Sequence, residues 1–297
     1  MSAARLVAQP RALVGESVRM DREDVIWLDP PGRRLLRWSP GDGRLSEVPL
    51  AHALWSLGQR PDGTWVGAGE DRFFAVDVHA GTLTPGPLAP LAPGCRFNDM
   101  TVDAQGGLWV GSMHRGLLHA RGGLFFAASP DAEVVRVAEG LGVANGMAFV
   151  AGGACLLVVD TLSRTLLAYP RRGDDPSLDE PTVVTDFLTA PGKPDGMAVA
   201  PDGAVWVAMW GGSCILQLAA NGAAERMVPI PAPHVGSLAF GNDGIAYVST
   251  SRARLTEAML ADHPGSGGLF AVDTRAGVPA KAGAGDSGGV RAAAQYR

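Results

Sequence analysis

Residues Asp195 to Ile230 read DGMAVAPDGAVWVAMWGGSCILQLAANGAAERMVPI. Gly196 to Ala200 alternates, Pro201-Asp202-Gly203 is a turn, and Val205 to Met209 is a second apolar run. Cys214 to Leu218 and Ala224 to Ile230 supply a third and a fourth. Four short strands in one compact unit, with turn chemistry between them, describe a single antiparallel sheet. The unit also has an internal register, because Trp206 follows Asp195 by eleven residues.

The same interval recurs along the chain. Glu16 leads to Trp27, Leu54 to Trp65, Asn98 to Trp109, Asn145 to Leu156 and Gly236 to Tyr247. Turns fall inside these intervals at Pro61-Asp62-Gly63, Gln105-Gly106-Gly107, Gly152-Gly153 and Asn242-Asp243-Gly244. Leading positions lie 38, 44, 47, 50 and 41 residues apart, which leaves no room for a second domain. The expected fold is therefore all-β, a six-bladed β-propeller. One domain is expected over residues 1–275, with a flexible tail over 276–297. The last repeat has only three strands, ending with Gly268 to Thr274, and Ala4 to Val7 is apolar enough to supply the fourth and close the ring. Helical periodicity is weak and confined to Leu255 to Leu260.

Composition limits the partners. Hydrophobic residues make up 46% and charged residues 19%, as in a soluble globular protein with a large core. With 30 acidic against 25 basic residues and no basic block, nucleic acid and anionic membranes are not expected partners. No apolar window reaches a membrane span, and residues 1–10 lack a signal-peptide pattern, so cytoplasmic residence is expected. Cys95, Cys155 and Cys214 lie in separate repeats without metal-binding spacing and read as buried thiols. A monomer or homodimer is expected.

The leading positions carry the chemistry. In a propeller, residues at one register of the innermost strands form a ring at one depth, here Glu16, Leu54, Asn98, Asn145, Asp195 and Gly236. Two carboxylates and two amide oxygens around one axis suit a hard divalent cation, Ca²⁺ first, with Mg²⁺, Mn²⁺, Zn²⁺ or Fe²⁺ also compatible. Asn145-Gly146 and Asp195-Gly196 are also common turn dipeptides, but each repeat already has its reversal seven or eight residues later. Strand alternation puts His52, Arg96, Lys193 and His234 on the same face as the ring, two residues earlier. These are candidate substrate-binding residues, and the Arg96 guanidinium can clamp two oxygens at once.

Arg96-Phe97-Asn98-Asp99, Asn145-Gly146-Met147, Pro194-Asp195-Gly196-Met197, Trp210-Gly211-Gly212, Gly15-Glu16 and Ser249-Thr250-Ser251-Arg252 together resemble the SMP-30/gluconolactonase, or regucalcin-like, family. The resemblance runs from about Gly15 to Val272. It implies a six-bladed propeller that opens sugar lactones with one divalent cation in its channel. It further implies Glu16, Asn145 and Asp195 as metal ligands, Arg96 and Asn98 as substrate-holding residues, and Asp195 as proton acceptor. Two departures stand out: Ser17-Val18 replaces the family's usual Gly-Pro after the first ligand, and Met113 to Leu124 carries no carboxylate.

The expected activity is metal-dependent hydrolysis of an aldonolactone, such as a glucono-, xylono- or arabinonolactone, to its aldonic acid. Alternatives are a metal-dependent arylesterase or phosphotriesterase, favoured if Trp55, Phe97, Met209 and Trp210 line the mouth, and a non-catalytic binding propeller.

Overall fold

The computed structural model describes residues 4–173, 175–276 and 278–279. The chain is all-β and propeller-like. Four sheets have four antiparallel strands each, in simple chain order from the innermost strand outward. Their innermost strands are Glu16–Asp21, Ser56–Gln59, Cys95–Val102 and Ala144–Val150. A fifth, nine-stranded sheet contains Lys193–Val199 and the three strands after it, then His234–Phe240, Ala246–Ser251 and Leu269–Val272. Its two halves meet at one backbone bridge, between Trp210 and His234. On the outer side, Ala4–Ala8 pairs antiparallel with Leu269–Val272, as Ala4 to Val7 was expected to do.

The six inner strands touch in a closed cycle, each contacting the next and His234–Phe240 contacting Glu16–Asp21. Between successive sheets lie six apolar clusters. The residues eleven positions after each leader sit in these wedges, and Trp27, Trp65, Trp109, Leu156, Trp206 and Tyr247 are all buried. Each such side chain contributes roughly 2–3 kcal/mol by leaving water. The core is therefore distributed around the axis.

One hairpin recurs. Gly63, Gly106, Gly203 and Gly244 have φ between 76 and 86° and each donates to the carbonyl three residues earlier. Only glycine adopts that conformation freely, which explains the repeated Asp-Gly and Gly-Gly pairs. The single α-helix among the described residues, Glu257–Asp262, overlaps the weakly periodic stretch Leu255 to Leu260 and is capped by the Thr256 side chain. Val278–Pro279 pairs with Arg226–Met227. Ala276 ends a short 3-10 helix, Thr274–Ala276, and positions 277 and 280–297 of the expected tail lie outside the described residues. No helix among the described residues is long and apolar enough to cross a membrane.

Candidate metal and substrate site

The inner strands slip register at the leader. Bulges fall at Glu16/Arg19, Phe97/Met100, Ala144/Met147, Pro194/Met197 and Val235/Ser237. A bulge inserts an extra residue and re-aims side chains; Asn98, Asn145, Asp195 and Gly236 lie inside theirs, and Glu16 lies at the edge of its own. The Ser56–Gln59 strand has none, and its leader Leu54 is fully buried between the first and second sheets.

The entries to Glu16 and Asn145 are each fixed by an aspartate that closes the neighbouring strand. Asp29 accepts from the Leu13 and Val14 amides at 3.2 Å. Asp160 does the same for Gly142 and Val143, at 3.0 and 2.9 Å. Gly15 is held from the last repeat, its N–H donating to Ser251 Oγ (2.9 Å) and its carbonyl accepting from Ser249 Oγ (2.8 Å). Ser17 takes φ +54° and accepts from Leu57 N at 2.8 Å. A serine thus adopts the conformation a glycine would take and gives its hydroxyl to the second sheet.

Glu16, Asn145 and Asp195 come together at the axis. Asn145 Nδ2 donates to Asp195 Oδ1 and to Thr161 Oγ1, which leaves Asn145 Oδ1 without a protein donor among the described residues. The Glu16 side chain has neither a hydrogen bond nor an ion pair among the described residues, although it is partly buried. Burial, then the charges of Asp195 and Asp99, push the Glu16 carboxyl well above the usual carboxylate range, and Arg96 offsets this only in part. Asp195 is likewise raised, by burial and then by Asp99, against the Asn145 hydrogen bond and Arg96. A buried and a partly buried acid without cationic partners in contact, beside a free amide oxygen, are an oxygen donor set that fits a hard divalent cation. His, Cys, Asp and Glu side chains alone form no metal-binding group of three among the described residues, so the amide is an integral part of this set.

Gly236 has a steric reason to be glycine. A Cβ there would lie 2.6 Å from the Gly15 carbonyl oxygen and 3.4 Å from Glu16 Oε1. The sixth ring position is empty so that the first can be filled.

Arg96 and Asn98 form the adjoining polar wall. The Arg96 guanidinium lies 3.4 Å above the Trp55 ring and donates to Phe97 O (2.6 Å) and Asn98 Oδ1 (2.9 Å). Asn98 Nδ2 donates to Ala144 O at 3.0 Å. Burial lowers Arg96 to about 10, so it stays charged at neutral pH. The other three candidates share no hydrogen bond or ion pair with this group among the described residues. His52 stacks on Phe74 in a cavity lined by Arg33, Glu70, Asp71 and Arg72. Lys193 is exposed at the start of its strand. His234 stacks on Trp210 at 4.4 Å, and burial lowers its pKa.

Sequence reasoning gave no role to Asp29 or Asp160, weighed Trp55 only as mouth lining, and quoted Asp99 only within a family motif. The first two had a visible signal, an aspartate ending the apolar run in VIWLD and LLVVD.

A family model, SMP-30/Gluconolactonase/LRE-like region, matches residues 14–252. Among curated relatives, a 6-deoxy-6-sulfogluconolactonase of Pseudomonas putida is 30% identical, covering 92% of this chain and 94% of the relative. An L-arabinolactonase of Azospirillum brasilense is also 30% identical, covering 92% of each. Among solved structures, a calcium-binding regucalcin of Agrobacterium tumefaciens superposes with a TM-score of 0.82 at 24% identity, over 91% of this chain and 93% of that one.

Proposed function

Because the chain belongs to the SMP-30/gluconolactonase/LRE-like family, we infer that it hydrolyses the ring ester of a sugar lactone to the open acid. The observation that carries this is the bare Glu16 carboxylate beside Asn145 Oδ1 and Asp195, with the Arg96–Asn98 wall next to it. Glu16, Asn145 and Asp195 would hold one divalent cation, Ca²⁺ foremost. Bound there, it would polarise the lactone carbonyl and lower the barrier to water addition.

The protein residues account for the remaining steps. Arg96, stiffened by Trp55, and Asn98, tied to the next sheet, orient the sugar oxygens. Asp195 has one oxygen engaged by Asn145, and its other oxygen takes the proton of the attacking water. His52, Lys193 and His234, outside this wall, would act at most on distal substituents. The aryl-ester reading loses support because Phe97 and Met209 are fully buried and Trp55 is covered by Arg96.

The cyclic contacts of the inner strands and the Ala4–Ala8 pairing support counting the nine-stranded sheet as two blades, giving six in all with the N-terminal strand closing the ring. Residues 1–275 then form one domain in a soluble, cytoplasmic monomer or homodimer.

The test is acid release in a pH-stat from gluconolactone, xylonolactone and arabinonolactone, with chelator-stripped protein and each divalent cation added back. Turnover should return with the cation, and Asp195→Ala should lose cation binding and turnover together. An Asp195→Ala protein that turns over normally would overturn the assignment.

A further inference from the structure

Asp99 shares the bulge of Cys95–Val102 with Asn98, and the two side chains diverge. Asn98 reaches forward to the fourth sheet, whereas Asp99 turns back toward the second and first. Its Oδ1 accepts from Ser56 Oγ at 2.6 Å and from Met100 N at 2.8 Å, with Arg19 Nη2 at 3.8 Å. Ser56 Oγ in turn lies 3.1 Å from Ser17 Oγ, one residue from Glu16. Arg19 is held by the Val18 and Met100 carbonyls at 2.9 and 3.1 Å. Every protein contact of Asp99 among the described residues is on Oδ1, and only 16% of its side chain is exposed.

Packing does not require this carboxylate. A serine or asparagine at position 99 would still offer Ser56 an acceptor, while a charge brought near the Glu16 and Asp195 carboxylates costs free energy. Asp99 stands within electrostatic reach of both Glu16 and Asp195 without belonging to their group. Glu16, Asp99 and Asp195 against Arg19 and Arg96 leave one net negative charge at the axis.

We propose that Asp99 is a positioning residue of the channel: a third carboxylate, held outside the coordinating set, whose charge sets how tightly Glu16, Asn145 and Asp195 bind a divalent cation. Arg19 is its counterweight, shielding part of that charge. The inference rests on the cation reading of the site.

Calorimetric titration of the full-length, chelator-stripped protein with Ca²⁺ tests it, using Asp99→Asn, Asp99→Ser and Arg19→Gln beside the parent. Loss of the Asp99 charge should weaken Ca²⁺ binding roughly tenfold or more, in the range seen for residues just outside a metal's ligands. Loss of the Arg19 charge should tighten it. A merely structural network would shift both kinds of variant in the same direction, and that result, or an unchanged affinity in both Asp99 variants, overturns the proposal. Asp99→Ser keeps a hydroxyl for Ser56, so it answers the question should Asp99→Asn fold poorly. A parent protein that binds no cation at all would instead sink the cation reading, an outcome distinct from a parent that binds and variants that match it.

Discussion

At Gly236 a single missing methyl group decides whether Glu16 has a place at the axis. Gly236→Ala would drive Cβ against the Gly15 carbonyl oxygen, 2.6 Å away, and crowd Glu16 Oε1. Cation affinity should fall together with about 1–3 kcal/mol of stability, measured by titration and by denaturant unfolding. His234 makes a different prediction. Burial holds its pKa below the ordinary value near 6.5, so the native state binds fewer protons there than the unfolded chain. That contribution is present above about pH 6.5 and is lost as pH falls through the lowered value. His234→Phe keeps the stack on Trp210 but cannot titrate, so its denaturant midpoint should drop less between pH 7.5 and 5.5 than the parent's. Of the residue-level chemistry, spacing alone placed Glu16, Asn98, Asn145 and Asp195 at one register, and the narrower proposed set of Glu16, Asn145 and Asp195 came from the family resemblance. The roles of Asp99 and Trp55 were not, since a bulge sends adjacent side chains to different sheets and one-dimensional alternation cannot express that.

Strands were legible wherever turn chemistry punctuated them. In the Asp195 repeat the expected strands and the observed Val205–Trp210, Cys214–Leu218 and Ala224–Pro229 nearly coincide. The second repeat was harder to read: Leu54 keeps the spacing, yet it packs between sheets because Gly67 leaves room for its side chain. Spacing records order along the chain, whereas burial depends on what lies across the wedge. The element with the largest expected effect is Ala4–Ala8, which covers the otherwise open edge of Leu269–Val272 and buries Ala4 and Ala8 in two different wedges. Deleting residues 1–10 should lower the melting temperature by several degrees and promote association through the uncovered edge, as read by scanning calorimetry and light scattering.

At the scale of the molecule, the wedges make the sheets interdependent, since none owns a core. Third and fourth sheets are also tied by a buried ion pair, Arg171 Nη2 to Asp103 Oδ2 at 3.1 Å. Because the proposed ligands come from the first, fourth and fifth repeats, a cation would bind the assembled ring and not its parts. Calcium at a hundredfold excess over its Kd should then add about 2.7 kcal/mol of stability, visible as a higher melting temperature that chelator reverses. A purely scaffolding ring would melt at the same temperature with and without chelator.

The clamp on Gly15 joins residues more than 230 positions apart, through Ser249 and Ser251. Contacts of such long sequence separation form late, after the local hairpins are in place. Glu16 therefore arrives at the axis only when the two ends of the chain have found each other. In a refolding time course, cation capture would be among the last events, and it would serve as a clock for the moment the chain becomes complete.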